Sequence, residues 1–210
     1  MRERWRGAAF PPAIGNDELP PEKINDVRCN YAAMVENIDS QVARMLDVLR
    51  DRGELENTVV IFTSDHGEML GDHARWGKGV WYDQSVGIPM VVAGPGVATG
   101  QRSDALVQFQ DIAATVLDYA GVRTELSGSR SMRPVLGGGA EGPRDVAVCG
   151  LREWRLAFDG RYKLVVDETR HALYDVAEDP DETEECSARY PGVTEALSQH
   201  LPERFRTARR

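Results

Sequence analysis

An aspartate and a histidine stand side by side at the end of an apolar run, and their side chains suit a divalent cation. The run Val59–Thr63 is made of β-branched and aromatic residues, and a single serine separates it from Asp65 and His66. A carboxylate oxygen beside an imidazole nitrogen is a common ligand pair for such a cation. Lys78, which lies between two glycines, adds a compact positive charge able to hold an anionic group of a substrate.

The apolar run predicts a strand that is buried on both faces, as in a parallel sheet. Ligand sites of open α/β sheets lie beyond the carboxyl ends of the strands. Because neighbouring side chains on a strand point to opposite faces, Asp65 and His66 can meet one ion only if the strand has already ended. Gly67 permits that break in the backbone. We therefore expect both side chains to face one cavity just beyond the strand.

Three further elements are predicted around this strand. Apolar residues recur at spacings of three and four from Ile24 to Leu49, which predicts a long amphipathic helix whose apolar stripe belongs to the core. A second buried strand is predicted over Ile88–Ala93, and a helix over Gln108–Ala120. A helix that leads into a buried strand is half of a β-α-β unit. The expected fold class is α/β, with part of a mostly parallel sheet and flanking helices.

The last third of the chain has a different period. Residues 126–144 are rich in glycine and serine and are predicted to be a linker or loop. From residue 145 to 210 the apolar residues alternate, which predicts a small antiparallel sheet followed by a helix over Val193–His200. The predicted strands are Asp145–Cys149, Trp154–Phe158, Tyr162–Val166 and Ala172–Tyr174. With residues 1–23 as an irregular proline-containing segment and residues 24–125 as the α/β part, the chain has four predicted segments.

Composition excludes several classes of partner. The net charge of −9 argues against nucleic acid, and the longest apolar runs are too short to cross a bilayer. Met1–Arg6 is charged but no apolar core follows it, so it is not a secretory signal and a cytoplasmic location is favoured. The cysteines Cys29, Cys149 and Cys186 have neither disulfide-framework nor zinc-site spacing. We expect no nucleic-acid or membrane partner.

An ordered series of motifs around the two site residues resembles the sulfatase family of the alkaline-phosphatase superfamily. The matching stretches are Thr63–Glu68, Leu70–His73, Trp76–Gly79, Val86–Pro89 and Ala93–Gly96. The resemblance implies that Asp65 and His66 are metal ligands, with Ca²⁺ as the expected ion. It also implies that Lys78 contacts the sulfate. His73 is a candidate substrate contact or proton donor, whereas Glu68 is expected to support the turn.

The same resemblance shows what this sequence lacks. Sulfatases use a formylglycine made from Cys or Ser in a Cys/Ser-x-Pro-x-Arg motif, and neither this motif nor the family's early Asp-Asp pair is present. Two ligands are also too few for calcium, which takes about six to eight oxygens. We therefore expect the C-terminal portion of a truncated, split or partly recorded sulfatase, inactive by itself. Its implied partners are a sulfate ester of a small molecule or glycan and a complementary N-terminal fragment.

Two alternative functions stay open from the sequence. One is a hydrolase or transferase of the same superfamily that acts on phosphate or phosphonate esters, which the Ser64–Glu68 stretch alone would fit. The other is an inactive fragment or a binding module that retains part of the fold. The nucleophile of the complete protein would distinguish the first alternative from a sulfatase.

Overall fold

The computed structural model describes residues 2–16, 18–123, 125–139 and 141–206. The chain divides into two compact units. Unit 1 consists of residues 1–78 and 83–95, and unit 2 consists of residues 79–82 and 96–210. In the described part of the chain, no helix has the length and apolar character needed to cross a membrane.

Unit 1 is built around one long helix. Its helices are α1 (Arg2–Trp5), α2 (Pro21–Asp51) and α3 (Asp83–Val86), and its strands are β1 (Val60–Thr63) and β2 (Met90–Ala93). Short 3₁₀ turns lie at Leu55–Asn57 and Asp72–Ala74. The predicted amphipathic helix is confirmed, but it begins at Pro21 rather than at Ile24. Proline suits this first position because its fixed φ is helical and no partner is needed for its missing N–H.

Strands β1 and β2 pair antiparallel, so the predicted parallel arrangement is wrong for these two strands. Val60 lies opposite Ala93 and Thr63 lies opposite Met90. Parallel neighbours need a crossover that returns the chain to the starting edge, usually through a long helix. The connection between β1 and β2 contains only the four-residue helix α3 and a 3₁₀ turn. The chain therefore returns in the opposite direction.

Much of the apolar surface of unit 1 is exposed, contrary to the prediction of buried strands and a buried helix stripe. Ile24 and Cys29, near the start of α2, are buried. Further along the helix, Ile38 is 53% exposed. In the sheet, Phe62 and Val91 lie directly opposite each other and are 40% and 62% exposed. The other exposed large apolar residues of α2 are Val27, Tyr31, Met34, Val35, Met45 and Val48.

Unit 2 contains the predicted antiparallel sheet. Its strands are β3 (Ala147–Leu151), β4 (Trp154–Phe158), β5 (Tyr162–Val166) and β6 (His171–Asp175), in the order β3-β4-β5-β6. Its helices are α4 (Asp111–Tyr119), α5 (Arg133–Leu136) and α6 (Pro191–Ser198), with a 3₁₀ turn at Glu203–Phe205. The hairpin predicted between β4 and β5 is confirmed, and the Asp159 carboxylate accepts hydrogen bonds from the backbone N–H groups of Arg161 and Tyr162 at 2.9 and 2.7 Å.

The sheet of unit 2 is covered on both faces. Helix α6 packs on β4 and β5, and the apolar core on this face comprises Ala157, Leu164, Val166, Leu173, Leu197, Leu201 and Phe205. On the other face the Trp154 indole N–H donates to the Gly79 carbonyl at 2.9 Å. Lys163 is buried there and pairs with Glu182 at 2.8 Å. Both faces of the central strands are thereby shielded from water.

Part of the stretch 126–144, predicted as a linker or loop, contacts α4. The stretch contains α5, and Met132 within it is 1% exposed. The buried Asp111 carboxylate at the start of α4 accepts a hydrogen bond from the Arg130 N–H at 2.9 Å and pairs with Arg144. These contacts link Arg130 and Arg144 to the start of α4.

Candidate metal and substrate site

The backbone bends at Asp65 and His66 after β1, and only glycine fits at the next position, Gly67. The Gly67 N–H donates to the Ser85 carbonyl at 2.9 Å. A Cβ atom at this position would lie 2.0 Å from the Gln84 carbonyl oxygen, well inside the distance of any real contact. Gly67 was predicted to allow a break in the strand. The close approach of the Gln84 backbone is the physical reason that glycine is required at this position.

Asp65 and His66 follow β1 directly, and their side chains lie close to each other. His66 Nε2 is 3.6 Å from Asp65 Oδ2. His66 Nδ1 is 2.8 Å from the Gly67 carbonyl oxygen. Because a carbonyl only accepts hydrogen bonds, Nδ1 carries the proton and, in the neutral ring, Nε2 holds a lone pair beside the carboxylate. The two side chains therefore present a nitrogen and an oxygen donor on the same side of the turn.

These two donors fit one divalent cation in chemistry and spacing, but they do not complete its shell. Calcium takes about six to eight oxygen ligands. Across the residues that the structure describes, no group of three or more His, Cys, Asp or Glu side chains is arranged to hold a metal. The Asp65 side chain is 75% exposed, so water or another polypeptide can reach the remaining coordination positions.

Glu68 ties the loop that carries Lys78 to the turn that carries Asp65 and His66. One carboxylate oxygen of Glu68 accepts the Gly77 N–H at 2.6 Å and the Leu70 N–H at 3.3 Å. The Met69 N–H also donates to the Gly77 carbonyl at 2.9 Å. Lys78 itself is exposed. Its backbone is thus fixed on the preceding side while its ammonium group remains available to an anion.

His73 lies in a strained loop over Leu70–Ala74. Leu70, His73 and Ala74 have φ values of 48°, 52° and 52°, and Gly71 has 93°. A left-handed conformation costs a non-glycine residue about 1–3 kcal/mol. A Cβ atom on Gly71 would also lie 3.1 Å from the Ile24 side chain. Strain of this kind persists only where surrounding contacts hold it, and it is frequent at functional sites.

The contacts that hold this loop come from α2 and from the N-terminal segment. The Arg28 guanidinium pairs with Asp72 at 2.8 Å. The same Asp72 oxygen accepts the Ile14 N–H at 2.8 Å, and the Ile14 carbonyl accepts the His73 N–H at 2.6 Å. The Asn16 side-chain amide donates to the Gly71 carbonyl at 2.6 Å. The residues before α2 thus brace the loop.

Sequence reasoning did not find Arg28, Ile14 or Asn16. The segment 1–23 was predicted to be irregular, and no motif marks any residue within it. Arg28 is a charged residue within an amphipathic helix, where an exposed position is the ordinary expectation. Only its burial, at 8% exposure, reveals that it has partners.

A cavity of about 300 Å³ lies beside the loop within unit 1. Glu68 and Asp72 contribute charged groups to its wall, and Phe10 and Tyr31 contribute aromatic rings. The remaining lining residues are Arg28, Ala32, Leu70 and Gln84. The Leu70–Ala74 loop therefore borders a mixed polar and aromatic space, whose lining includes neither Lys78 nor the Asp65–His66 pair.

Comparisons with known proteins indicate the family of this chain. Residues 6–122 match the family model described as Sulfatase, and residues 71–209 match the model described as N-sulphoglucosamine sulphohydrolase, C-terminal. Arylsulfatase K of Xenopus laevis is 28% identical over 200 residues, which cover 86% of this chain and 37% of that protein.

Two solved structures share the fold over most of the chain. A protein in complex with its substrate D-glucosamine-2-N,6-O-disulfate is 27% identical, with a TM-score of 0.79, and the match covers 86% of this chain and 40% of that one. The phosphonate monoester hydrolase of Agrobacterium radiobacter is 28% identical, with a TM-score of 0.77, and the match covers 92% and 47%. This chain spans less than half the length of each of these three proteins.

The fold and the ordered motifs place the chain in the alkaline-phosphatase superfamily. The Sulfatase model matches more than half of its residues. The chain belongs to the sulfatase family.

Proposed function

We propose that this chain contributes part of the active site of a sulfatase, in which Asp65 and His66 bind a divalent cation and Lys78 contacts the sulfate group of an ester. The observation that carries the proposal is the 3.6 Å separation of His66 Nε2 and Asp65 Oδ2 directly after β1. The hydrogen bond from His66 Nδ1 to the Gly67 carbonyl fixes the tautomer that leaves Nε2 available. Ca²⁺ is the ion that the family resemblance favours.

The chemistry requires positive charge around the sulfate. Charge that builds up on the group being transferred must be met by cations already held in place. A divalent cation held by Asp65 and His66 would supply one of these charges and would polarise an oxygen of the sulfate ester. Lys78 supplies another from a loop whose backbone is held by Glu68 through Gly77. His73, on the preceding Leu70–Ala74 loop, is the residue that we assign to contact the substrate or to donate a proton to the leaving oxygen.

A complementary polypeptide is part of this proposal. It would supply the formylglycine nucleophile and the remaining metal ligands, because the sequence holds no Cys/Ser-x-Pro-x-Arg motif. The exposed apolar side chains of α2 and of the β1–β2 pair support such a partner, since Phe62, Val91 and Ile38 are each at least 40% exposed. Apolar patches of this kind commonly mark interaction surfaces. The substrate would be a sulfate ester of a small molecule or glycan, and the solved relative bound to a sulfated glucosamine supports that class.

Hydrolysis of phosphonate esters is the second candidate function. The likeness to a phosphonate monoester hydrolase favours it, because this relative matches the chain with similar identity and TM-score. The two functions differ in the charge and nucleophile that they require. A matched pair of substrates, 4-nitrophenyl sulfate and a 4-nitrophenyl phosphonate, distinguishes them when the same preparation is assayed with both.

The deciding experiment assays the chain alone and together with a polypeptide that corresponds to the rest of a sulfatase. We expect the chain alone to bind Ca²⁺ weakly in calorimetry and to hydrolyse no aryl sulfate. With the complement present, sulfate hydrolysis should require Ca²⁺ and should fall by about 10²-fold or more in Asp65→Ala. Asp104→Ala, which removes an exposed carboxylate from another part of the chain, is the matched control.

Three results would contradict the proposal. Turnover by the purified chain alone, lost in Asp65→Ala, would show that no complementary polypeptide is needed. Full activity of Asp65→Ala in the complemented protein would remove Asp65 from the metal site. Faster phosphonate than sulfate hydrolysis would replace the sulfatase assignment with the second candidate.

A further inference from the structure

The strained loop Leu70–Ala74 needs a device that holds it, and Arg28 is the residue best placed to do so. Four of the five loop residues have positive φ values, three of them without being glycine. A free peptide of this sequence would relax to the right-handed region. The loop therefore keeps this conformation only while other parts of unit 1 hold its backbone and side chains through hydrogen bonds and ion pairs.

Arg28 reaches two separate stretches of chain, the N-terminal segment and the Leu70–Ala74 loop, with a single guanidinium group. Its Nε donates to the Leu70 carbonyl at 3.1 Å, its Nη1 donates to the Pro11 carbonyl at 2.6 Å, and its Nη2 donates to Asp72 Oδ1 at 2.8 Å. The Arg28 and Asp72 side chains are only 9% and 13% exposed. The planar, rigid donor fork of arginine suits this kind of multiple contact, which the point charge of lysine cannot reproduce.

Stability alone does not account for a buried charge pair at this place. Apolar residues of similar volume are often as stabilising as a buried ion pair, because the desolvation of two charges offsets most of their attraction. A buried guanidinium whose donors end on Leu70, Pro11 and Asp72 does something that an apolar side chain cannot. It links α2 to the N-terminal segment through Pro11 and to the loop through Leu70 and Asp72. The stretch of strained backbone that leads to His73 is therefore held at both of its ends.

We propose that Arg28 is a positioning residue of the site, which holds the Leu70–Ala74 loop in its strained form so that His73 is presented in one orientation. Asp72 and Ile14 complete the clamp, because the Asp72 carboxylate accepts the Ile14 N–H and the Ile14 carbonyl accepts the His73 N–H. The role of His73 rests on the proposed sulfatase function. The clamp itself does not, and it can be tested without turnover.

The test uses the full chain with Arg28→Lys and, as a matched control, Arg50→Lys. Arg50 lies on the same helix, is exposed, and pairs only locally with Asp47. Hydrogen–deuterium exchange of the peptides covering residues 69–76 is measured together with the ring signal of His73 in a ¹H–¹³C NMR spectrum, assigned through His73→Gln. Arg28→Lys keeps the positive charge beside Asp72 but loses the fork, so we expect exchange in the loop to accelerate about tenfold or more.

The remaining readouts separate positioning from folding. The His73 ring signal should shift or broaden in Arg28→Lys, while the His171 signal from unit 2 and all signals of Arg50→Lys stay in place. Should Arg28→Lys fail to fold, Asn16→Ala removes only the donor to the Gly71 carbonyl and should give a smaller acceleration confined to the loop. Unchanged loop exchange and an unmoved His73 signal in whichever folded variant is measured would overturn the proposal.

A kinetic arm in the complemented protein then tests the consequence for catalysis. Arg28→Lys should lower kcat with KM changed less than about twofold, because a loosened loop affects the orientation of His73 more than the binding of sulfate. If the loop loosens and kcat is unchanged, the clamp stands but His73 does not act in the reaction, which contradicts the proposed role of His73 and the positioning proposal built on it. If the complemented protein hydrolyses no sulfate at all, only the proposed function fails, since exchange and NMR report on the clamp independently.

Discussion

Unit 2 buries its sheet on both faces, whereas unit 1 leaves a long helix and a pair of strands with large apolar side chains in water. Leu164 and Leu173 at the centre of the unit 2 sheet are 0% exposed. Ile38 on α2 and Val91 on β2 of unit 1 are 53% and 62% exposed. Unit 1 nevertheless carries all four candidate site residues. The unit with the candidate site residues is the one with the incomplete core.

This difference indicates how the two units are stabilised. Burial of apolar area is the main stabilising term of a domain, at roughly 25 cal/mol per Å². In unit 2 the chain supplies the covering layer itself, through α6 on one face. In unit 1 the organised part is the polar clamp around Leu70–Ala74, and α2 continues beyond it with its apolar stripe exposed. We expect core mutations in unit 2 to lower stability. Substitutions at the candidate site of unit 1 should instead lower the proposed activity.

The largest effect on stability is expected for Leu173→Ala in unit 2. Leu173 is completely buried within the core beneath α6, so its truncation leaves a cavity and should cost about 2–5 kcal/mol. Urea unfolding followed by circular dichroism measures the change. Leu151→Ala, on the edge strand of the same sheet where the side chain is 45% exposed, is the control and should cost under about 1 kcal/mol. Equal losses for both variants would mean that the core is not where the structure places it.

Lys78→Ala should leave the stability of the chain unchanged and lower the activity of the complemented protein. The ammonium group is exposed, so its removal should leave the unfolding midpoint of the chain unchanged. In the complemented protein, loss of one preorganised contact to the sulfate should lower kcat/KM by about 10²–10³-fold. Lys78→Arg should restore only part of this activity, because the planar guanidinium differs in reach and geometry from an ammonium. Lys23→Ala is the control, and activity of Lys78→Ala within a factor of about two of wild type would exclude a role for Lys78 in the reaction.

The contrast between the units also explains which features could be predicted from the sequence. The strands of unit 2 were predicted because alternation of apolar residues and the Asp159–Gly160 turn are local signals. Their ends differ by only a few residues, as in β3, which begins at Ala147 and was predicted from Asp145. The direction of β2 relative to β1 could not be predicted, since an apolar strand pattern reports burial and contains no information on orientation.

The residues of the candidate site also fall into those that the sequence could predict and those that it could not. Asp65 and His66 are adjacent in sequence, so a strand end and a glycine sufficed to predict that their side chains lie together. Arg28 donates to residues more than 40 positions away, and contacts of that separation leave no pattern in one sequence. The exposure of the α2 stripe was also not predictable, because the periodicity shows that a face is apolar without showing what covers it.

Ile38→Ala tests whether the exposed stripe of α2 is free in the isolated chain. With the side chain half in water, truncation should change the free energy of unfolding by less than about 0.5 kcal/mol. Binding of the complementary polypeptide should weaken about tenfold, since burial of an isoleucine on association contributes about 1.5–3 kcal/mol. Calorimetric titration measures the second quantity. A cost above about 1.5 kcal/mol in the chain alone, if it depends on protein concentration, would identify a second copy of this chain as the cover of α2.

The smallest expected effect is on the pH dependence of the stability of unit 2. His171, at the start of β6, has a pKa lowered from its usual value of 6.5 because burial disfavours the charged ring, although Asp167 opposes the shift. The unfolded chain therefore binds a proton at this position at higher pH than the folded chain does. The resulting loss of stability is absent well above pH 6.5 and grows as the pH falls through that value towards the folded pKa.

Other groups titrate in this range, so the informative quantity is the difference between wild type and His171→Gln. We expect the variant to lose fewer degrees of Tm between pH 7.5 and 5.5, by differential scanning calorimetry, and equal slopes would show that the His171 ring is as well solvated in the folded chain as in the unfolded one.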